Sequence, residues 1–179
     1  CFMENENTIL LDIRKPEQFA KGHIPNAQNI WRPDIRNPEI DTEGLMASKK
    51  QMEDLLGTLG ATNESKIIIY DAKGNPDAAR FWWIMRFYGH KHVYLLNGGL
   101  TKYENNNGEV TNITNDVKKT NYLFNSKQDS SIYASKELMK KAINDTNYII
   151  IDTRCVAEFS GKERKGNAAR AGRIPNSIL

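Results

Sequence analysis

Hydrophobic positions fall along this chain in short bursts separated by polar turns, and their period changes from burst to burst. Thr8-Ile9-Leu10-Leu11-Asp12 is an unbroken apolar run ending in a carboxylate, the form of a strand buried on both faces of a parallel sheet. Pro16-Glu17-Gln18-Phe19 predicts the start of a short helix, with proline in its first turn and Gly22 at its end. Ile24 to Ile30 reads as a turn into a second strand. Between Ser48 and Leu59 the apolar residues stand at 52, 55, 56 and 59, the stripe of an amphipathic helix that Ser48 can cap and Gly60 can close. Ile67-Ile68-Ile69-Tyr70 is a central strand, Asp77 to Tyr88 an aromatic-rich helix, and Val93-Tyr94-Leu95-Leu96 a strand running into Asn97-Gly98-Gly99. Strands alternating with helices at this spacing predict an α/β domain with a mainly parallel sheet covered by helices on both faces.

Beyond this the character changes. Glu104 to Asp129 is polar, opening on Asn105-Asn106-Asn107-Gly108, and reads as a linker with one extended segment around Tyr122-Leu123-Phe124. Ser135 to Ile143 predicts a short helix with Leu138, Met139 and Ala142 on one face, and Tyr148 to Asp152 repeats the first strand. The repetition extends to motifs. Asp12-Ile13-Arg14, Gln18-Phe19 and Gly22-His23-Ile24-Pro25-Asn26-Ala27 are matched by Asp152-Thr153-Arg154, Glu158-Phe159 and Gly172-Arg173-Ile174-Pro175-Asn176-Ser177. The first parts stand 140 residues apart and the last parts 150, so the second copy carries ten extra residues in its first loop. The expected organisation is a first domain at 1–110, a linker at 111–130 and a truncated second copy at 131–179.

Composition narrows the function classes. A net charge of +3, with no compact Lys/Arg tract, argues against nucleic-acid binding. The longest apolar runs are four or five residues, against roughly 20 for a membrane span. The chain opens at Cys1 and not at methionine, so its true start is expected upstream; a lipid-modified terminal cysteine fits poorly with a strand beginning at Thr8. Two cysteines do not make a disulfide framework, which favours a reducing, cytoplasmic setting over a periplasmic or lipid-anchored one. Three histidines without Cys, Asp or Glu at ligand spacing make no zinc site.

Candidate chemistry concentrates where loops leave the strands. The segment Asp71-Ala72-Lys73-Gly74-Asn75-Pro76-Asp77-Ala78-Ala79-Arg80 joins the carboxyl end of the central strand to a helix N-terminus, the usual ligand edge of an open α/β sheet. A cysteine there would have its thiolate stabilised by the helix amides. Asp71 leads the loop instead, as a cap or a partner of Lys73 or Arg80, or else as a catalytic carboxylate. Arg14 and Arg154 read as scaffold partners of the strand aspartates, with anion contact as the alternative. Trp82, Trp83, Phe87 and Tyr88 read as core and interdomain packing.

Asp12-x-Arg14 with Gly22-His23-Ile24-Pro25-Asn26-Ala27, then Ile69-Tyr70-Asp71 before Arg80-Phe81-Trp82-Trp83, then Gly89-His90 and Leu96-Asn97-Gly98-Gly99, resembles the N-terminal domain of a tandem-domain rhodanese, a thiosulfate or 3-mercaptopyruvate sulfurtransferase. The resemblance implies a rhodanese-like α/β domain with a five-stranded sheet, followed by the start of a second. It implies that the first domain is non-catalytic, Asp71 standing where a catalytic domain has its cysteine. The persulfide-forming cysteine is then expected in the second domain, roughly 30 to 50 residues beyond Leu179. Such an enzyme moves sulfane sulfur from a small anionic donor to cyanide or a thiol, without metal or organic cofactor. The resemblance further places donor-binding arginines in the loop from Gly161 to Arg170, where Arg170 and Arg164 are the candidates; a solvated charged loop is the alternative. Glu158 stands where some members have an arginine. Cys155 does not map onto the nucleophile and reads as a structural or redox-sensitive thiol. The rival function is a catalytically silent rhodanese-like binding or regulatory module; a phosphatase of related fold also needs a loop cysteine.

Overall fold

In the computed structural model, which describes residues 7–39, 44–74, 76–166 and 168–179, the chain forms two compact units, Cys1–Ser130 and Ser131–Leu179. The first is built on strands β1 (Thr8–Asp12), β2 (Ala27–Asn29), β3 (Lys66–Tyr70) and β4 (Val93–Leu95), all parallel in the order β2-β1-β3-β4. The helices are α1 (Pro16–Lys21), α2 (Lys49–Thr58), α3 (Pro76–Phe87) and α4 (Gly99–Asn105).

Side chains alternate across a strand, so one apolar run feeds two cores. Ile9, Leu11, Ile67 and Ile69 pack with Met52 and Leu56 of α2 and with Phe81, Ile84 and Met85 of α3. Leu10, Ile68 and Tyr70 face the other way, onto Phe19 of α1 and Leu100 and Tyr103 of α4. Helices thus cover both faces. Ser48 caps α2 in both directions: its hydroxyl accepts from Gln51 N at 3.3 Å, and its own N–H donates to Gln51 Oε1 at 2.7 Å.

Three features depart from the expected pattern. The sheet has four strands among the described residues, one fewer than five. A helix not predicted from the sequence, α4, begins at Gly99, directly after the strand runs into Asn97-Gly98. Gly99 has φ +59°, and a Cβ there would lie 2.6 Å from the Asp71 carbonyl, so a glycine is needed for this helix to meet the end of β3.

The third departure is the segment expected as a linker. It has no helix or strand between residues 112 and 129, yet it is strapped across the first unit. Tyr122 and Phe124 are buried in the α2/α3 core. Thr120 N donates to Gly57 O (2.9 Å), Phe124 N to Glu53 Oε1 (2.9 Å), Asn63 Nδ2 to Leu123 O (2.6 Å) and Asp129 N to Phe87 O (2.8 Å). The extended Tyr122–Phe124 stretch therefore spends its polar groups on helix α2 and on side chains, not on a fifth strand. Gly57, Gly60 and Gly89 open the channel beneath it: an added Cβ would sit 2.7 Å from Thr120 O, 2.7 Å from Val117 Cγ1 and 2.6 Å from Ser126 Cβ respectively.

The second unit contains α5 (Lys136–Ala142), β5 (Ile150–Ile151), α6 (Val156–Phe159) and β6 (Ser177–Ile178). Ser135 caps α5, accepting from Leu138 N at 3.1 Å. The strands pair in parallel, Ile150 with Ser177 and Ile151 with Ile178, as Leu10 pairs with Ala27 and Leu11 with Gln28 in the first unit.

Candidate functional site

Each unit carries one arginine clamp, atom for atom the same. In the first, Arg14 Nε donates to both Asp12 oxygens (3.0 and 3.0 Å), while Nη2 donates to Asp12 Oδ2 (2.6 Å) and to Gly22 O (2.7 Å). In the second, Arg154 Nε reaches the Asp152 oxygens (2.9 and 3.2 Å), and Nη2 reaches Asp152 Oδ2 (2.6 Å) and Gly172 O (2.8 Å). The strand carboxylate holds the guanidinium fork, and the fork fixes the glycine of the Gly-x-Ile-Pro-Asn turn. Asn26 and Asn176 close those turns in the left-handed region, at φ +65° and +60°. These bonds occupy both arginines as scaffold.

At the carboxyl edge of the first sheet, Asp71 directly follows β3 and is buried. Its carbonyl accepts from Leu100 N (2.9 Å), and that of Ala72 from Thr101 N (3.0 Å), which ties the loop to α4. Asn75, inside the predicted ligand loop, lies outside the described residues, as does Cys1. Across the edge, Arg32 pairs with Asp77, and Arg80 Nη2 donates to Gly44 O. Burial and the neighbouring Arg32 hold the Arg80 guanidinium below its usual range, with Asp77 acting the other way. Sequence reading missed the Arg32–Asp77 pair, whose members are 45 residues apart and meet only once the sheet is folded. No thiol or hydroxyl stands between Asp71 and Arg80, so this loop carries charge and hydrogen-bonding groups but no cysteine, serine or threonine nucleophile.

Below this edge Tyr70 joins the layers: its hydroxyl accepts from Ile24 N at 3.1 Å. Burial first, and the Asp12 carboxylate second, push its phenol far above the usual tyrosine range.

In the second unit a cleft of ≈ 750 Å³ is lined by Thr153, Arg154, Arg170, Arg173, Ile150 and Ile174, among others. Arg170 faces it; Arg164 is exposed in the same loop and is not among its lining residues. Three other cations of this region are engaged. Lys165 Nζ lies 3.3 Å from Glu158 Oε2, Arg154 Nη1 is 3.9 Å from Glu158 Oε1, and the Arg173 guanidinium sits 4.4 Å over the Phe159 ring. Cys155 is exposed, its Sγ 3.4 Å from Glu158 Oε2. Asn167 of this loop lies outside the described residues. Among the described residues no group of three His, Cys, Asp or Glu is placed to hold a metal ion, and no helix is long and apolar enough to cross a membrane.

The family described as Rhodanese-like domain matches residues 2–106. Curated relatives include a thiosulfate sulfurtransferase of Gallus gallus, 25% identical over 164 residues, covering 90% of this chain and 56% of that protein. A thiosulfate sulfurtransferase of Pseudomonas aeruginosa is 28% identical over 172 residues (95% and 61%). A putative thiosulfate sulfurtransferase of Saccharopolyspora erythraea is 32% identical over 171 residues (89% and 57%). The chain thus spans 56% to 61% of the length of these relatives. Among solved structures, SseA from Escherichia coli, described as a 3-mercaptopyruvate sulfotransferase, superposes with a TM-score of 0.82 at 20% identity, over 98% of this chain and 69% of that one. The Tum1 protein of Saccharomyces cerevisiae gives the same score and identity, over 98% and 64%. These likenesses show a common α/β fold.

Proposed function

The chain belongs to the rhodanese-like family, and from that premise we propose that it is the first domain and the opening of the second domain of a tandem sulfurtransferase. The observation that carries the reading is the arginine clamp made twice, around Asp12 and around Asp152, each on the same Gly-x-Ile-Pro-Asn turn. The first domain is the non-catalytic one, its loop after β3 led by buried Asp71. A cysteine in the corresponding loop of the complete second domain is the nucleophile.

Its thiolate attacks the outer sulfur of thiosulfate; the S–S bond breaks and sulfite leaves with the electron pair. With 3-mercaptopyruvate the C–S bond breaks and pyruvate leaves after taking up a proton. Cyanide or a thiol then removes the outer sulfur of the persulfide and returns the thiolate. Backbone amides of the loop suffice to hold that thiolate, so neither a metal nor an organic cofactor is required. Arg170, facing the second-unit cleft, supplies charge for the anionic donor, with Arg164 as the second candidate on the same loop. Two cysteines in the chain suit a cytoplasmic protein.

The natural full-length protein, treated with thiosulfate or 3-mercaptopyruvate and analysed by intact and peptide mass, is expected to gain one sulfur atom on a cysteine beyond Leu179. Sulfur on Cys155, or none from either donor, overturns the reading. Asp71 in place of a thiol favours a second one, a silent rhodanese-like binding or regulatory module. A native second domain without a loop cysteine would establish it.

A further inference from the structure

The strap over the first unit hangs on a hydrogen bond whose acceptor is an imidazole. His90 is buried. Its Nε2 lies 3.1 Å from the Ser65 carbonyl, and its Nδ1 lies 2.8 Å from Tyr122 Oη. A carbonyl only accepts, so Nε2 carries the proton, and Nδ1 accepts from the tyrosine hydroxyl. Any further proton must enter at Nδ1; the tyrosine oxygen then has to accept, its own O–H loses the acceptor it had there, and a cation stands buried beneath the strap.

Charges around the ring set the balance. Burial opposes a cation on His90, and so does the charge of the His92 ring, 6.4 Å away; the Ser65 carbonyl, the His92 backbone and Glu64 favour it. From the α2 side Glu53 acts on Tyr122, and Lys49 Nζ donates to Phe124 O at 3.1 Å. A cleft of ≈ 180 Å³ is lined by Glu64, His90, Lys91, His92, Tyr122 and Ser126, among others.

The strap is also less firmly built than the sheet beneath it. It has no helix or strand of its own between residues 112 and 129, and its buried anchors are Tyr122 and Phe124, whereas the sheet is laddered on both sides of β1. Segments with few buried contacts open locally, well below the cost of global unfolding.

We propose that residues 117–129 form an acid-released latch, in which a proton on His90 Nδ1 expels Tyr122 and Phe124 from the core and lifts the strap while the sheet stays folded. Opening returns His90 to water, so the open state gains protons as pH falls through the ordinary histidine range and the closed state does not. The strap ends where the second unit begins; release makes it a free connector.

Hydrogen exchange on the full chain, corrected for intrinsic rates, tests this. Between about pH 7.5 and about pH 5, protection at Thr120, Phe124 and Asp129 is expected to fall roughly tenfold, with Ile13 and Ile30, whose N–H groups donate to Tyr70 O and Asp12 O at the ends of β1 and β2, unchanged. His90→Gln keeps strap protection at both pH values; Glu53→Gln, at the carboxylate that accepts from Phe124 N, keeps the wild-type response. Tyr122→Phe, with the donor gone, gives low strap protection already at about pH 7.5. Equal losses in strap and sheet, no loss in the wild type, or an undiminished loss in either His90→Gln or Tyr122→Phe would overturn the latch.

Discussion

Arg14 and Arg154 make the same hydrogen bonds with different amounts of water around them. The side chains of Arg14 and Asp12 are 10% and 0% exposed, those of Arg154 and Asp152 42% and 13%. Removing one partner of a buried pair strands the other charge, whereas water rescues an exposed one. Arg14→Ala is therefore expected to destabilise the chain by about 3 kcal/mol, and Arg154→Ala to leave the same chemical denaturation midpoint nearly unchanged. Equal shifts would refute the burial argument. Tyr70 makes a pH-dependent case. Its phenol titrates higher folded than unfolded, so the folded state keeps a proton that the unfolded chain gives up. That contribution is complete below the ordinary tyrosine value near pH 10 and is lost as pH rises above it. Tyr70→Phe should cost about 1–3 kcal/mol at neutral pH, from the unpaired Ile24 N–H, and should flatten the alkaline fall in stability seen by denaturation at rising pH. The clamp and the position of Asp71 were legible in sequence because each depends on spacing within one strand-turn unit. The Arg32–Asp77 pair was not, because only the folded sheet brings β2's exit beside α3.

Helix α2 shows how an element can be shaped by what crosses it. Gly57 sits in its last turns with an ordinary helical backbone, so propensity alone makes Gly57→Ala worth up to about 1 kcal/mol of stabilisation. The new methyl would meet Thr120 O at 2.7 Å, and overpacking of this kind costs about 1–3 kcal/mol. The substitution should destabilise on balance, with exchange accelerated at Thr120 and Phe124; a gain in stability would mean that the strap is not held against the helix. Ser48→Ala, at the other end of α2, should cost about 1 kcal/mol by loss of the cap. Strands and long helices were readable because periodicity reports burial directly. The strap was read as a linker because its composition is polar, and only Tyr122 and Phe124 signalled a core contact. Helix α4 was hidden because the two glycines that let it start against Asp71 are also turn residues.

At the scale of the whole chain the two units differ in how much of themselves they bury. In the second unit Ala142 and Ser177 are the buried residues among those described, while Ile149, Ile151 and Ile178 are 77%, 65% and 55% exposed. Strand β1 has a neighbour on each side, β2 and β3; β5 pairs with β6 alone among the described residues. A unit of this size without a core, resting on a two-stranded sheet, is marginal in water. Amides of residues 150–178 are therefore expected to exchange within seconds in this chain, while those of β1 and β3 stay protected for hours or longer. In a longer natural chain that supplies the counterpart of β3, the open side of β5 would be paired and Ile149 and Ile151 covered, and protection at Asp152 N, which donates to Ile178 O at 2.7 Å, should rise by orders of magnitude. Exchange of both lengths side by side decides the point. Slow exchange of residues 150–178 in the 179-residue chain would show a second unit already stable, and the exposed isoleucines would then need a different account. Fast exchange in both would mean that nothing downstream completes this sheet, and would count against the tandem sulfurtransferase on which the donor-binding role of Arg170 depends.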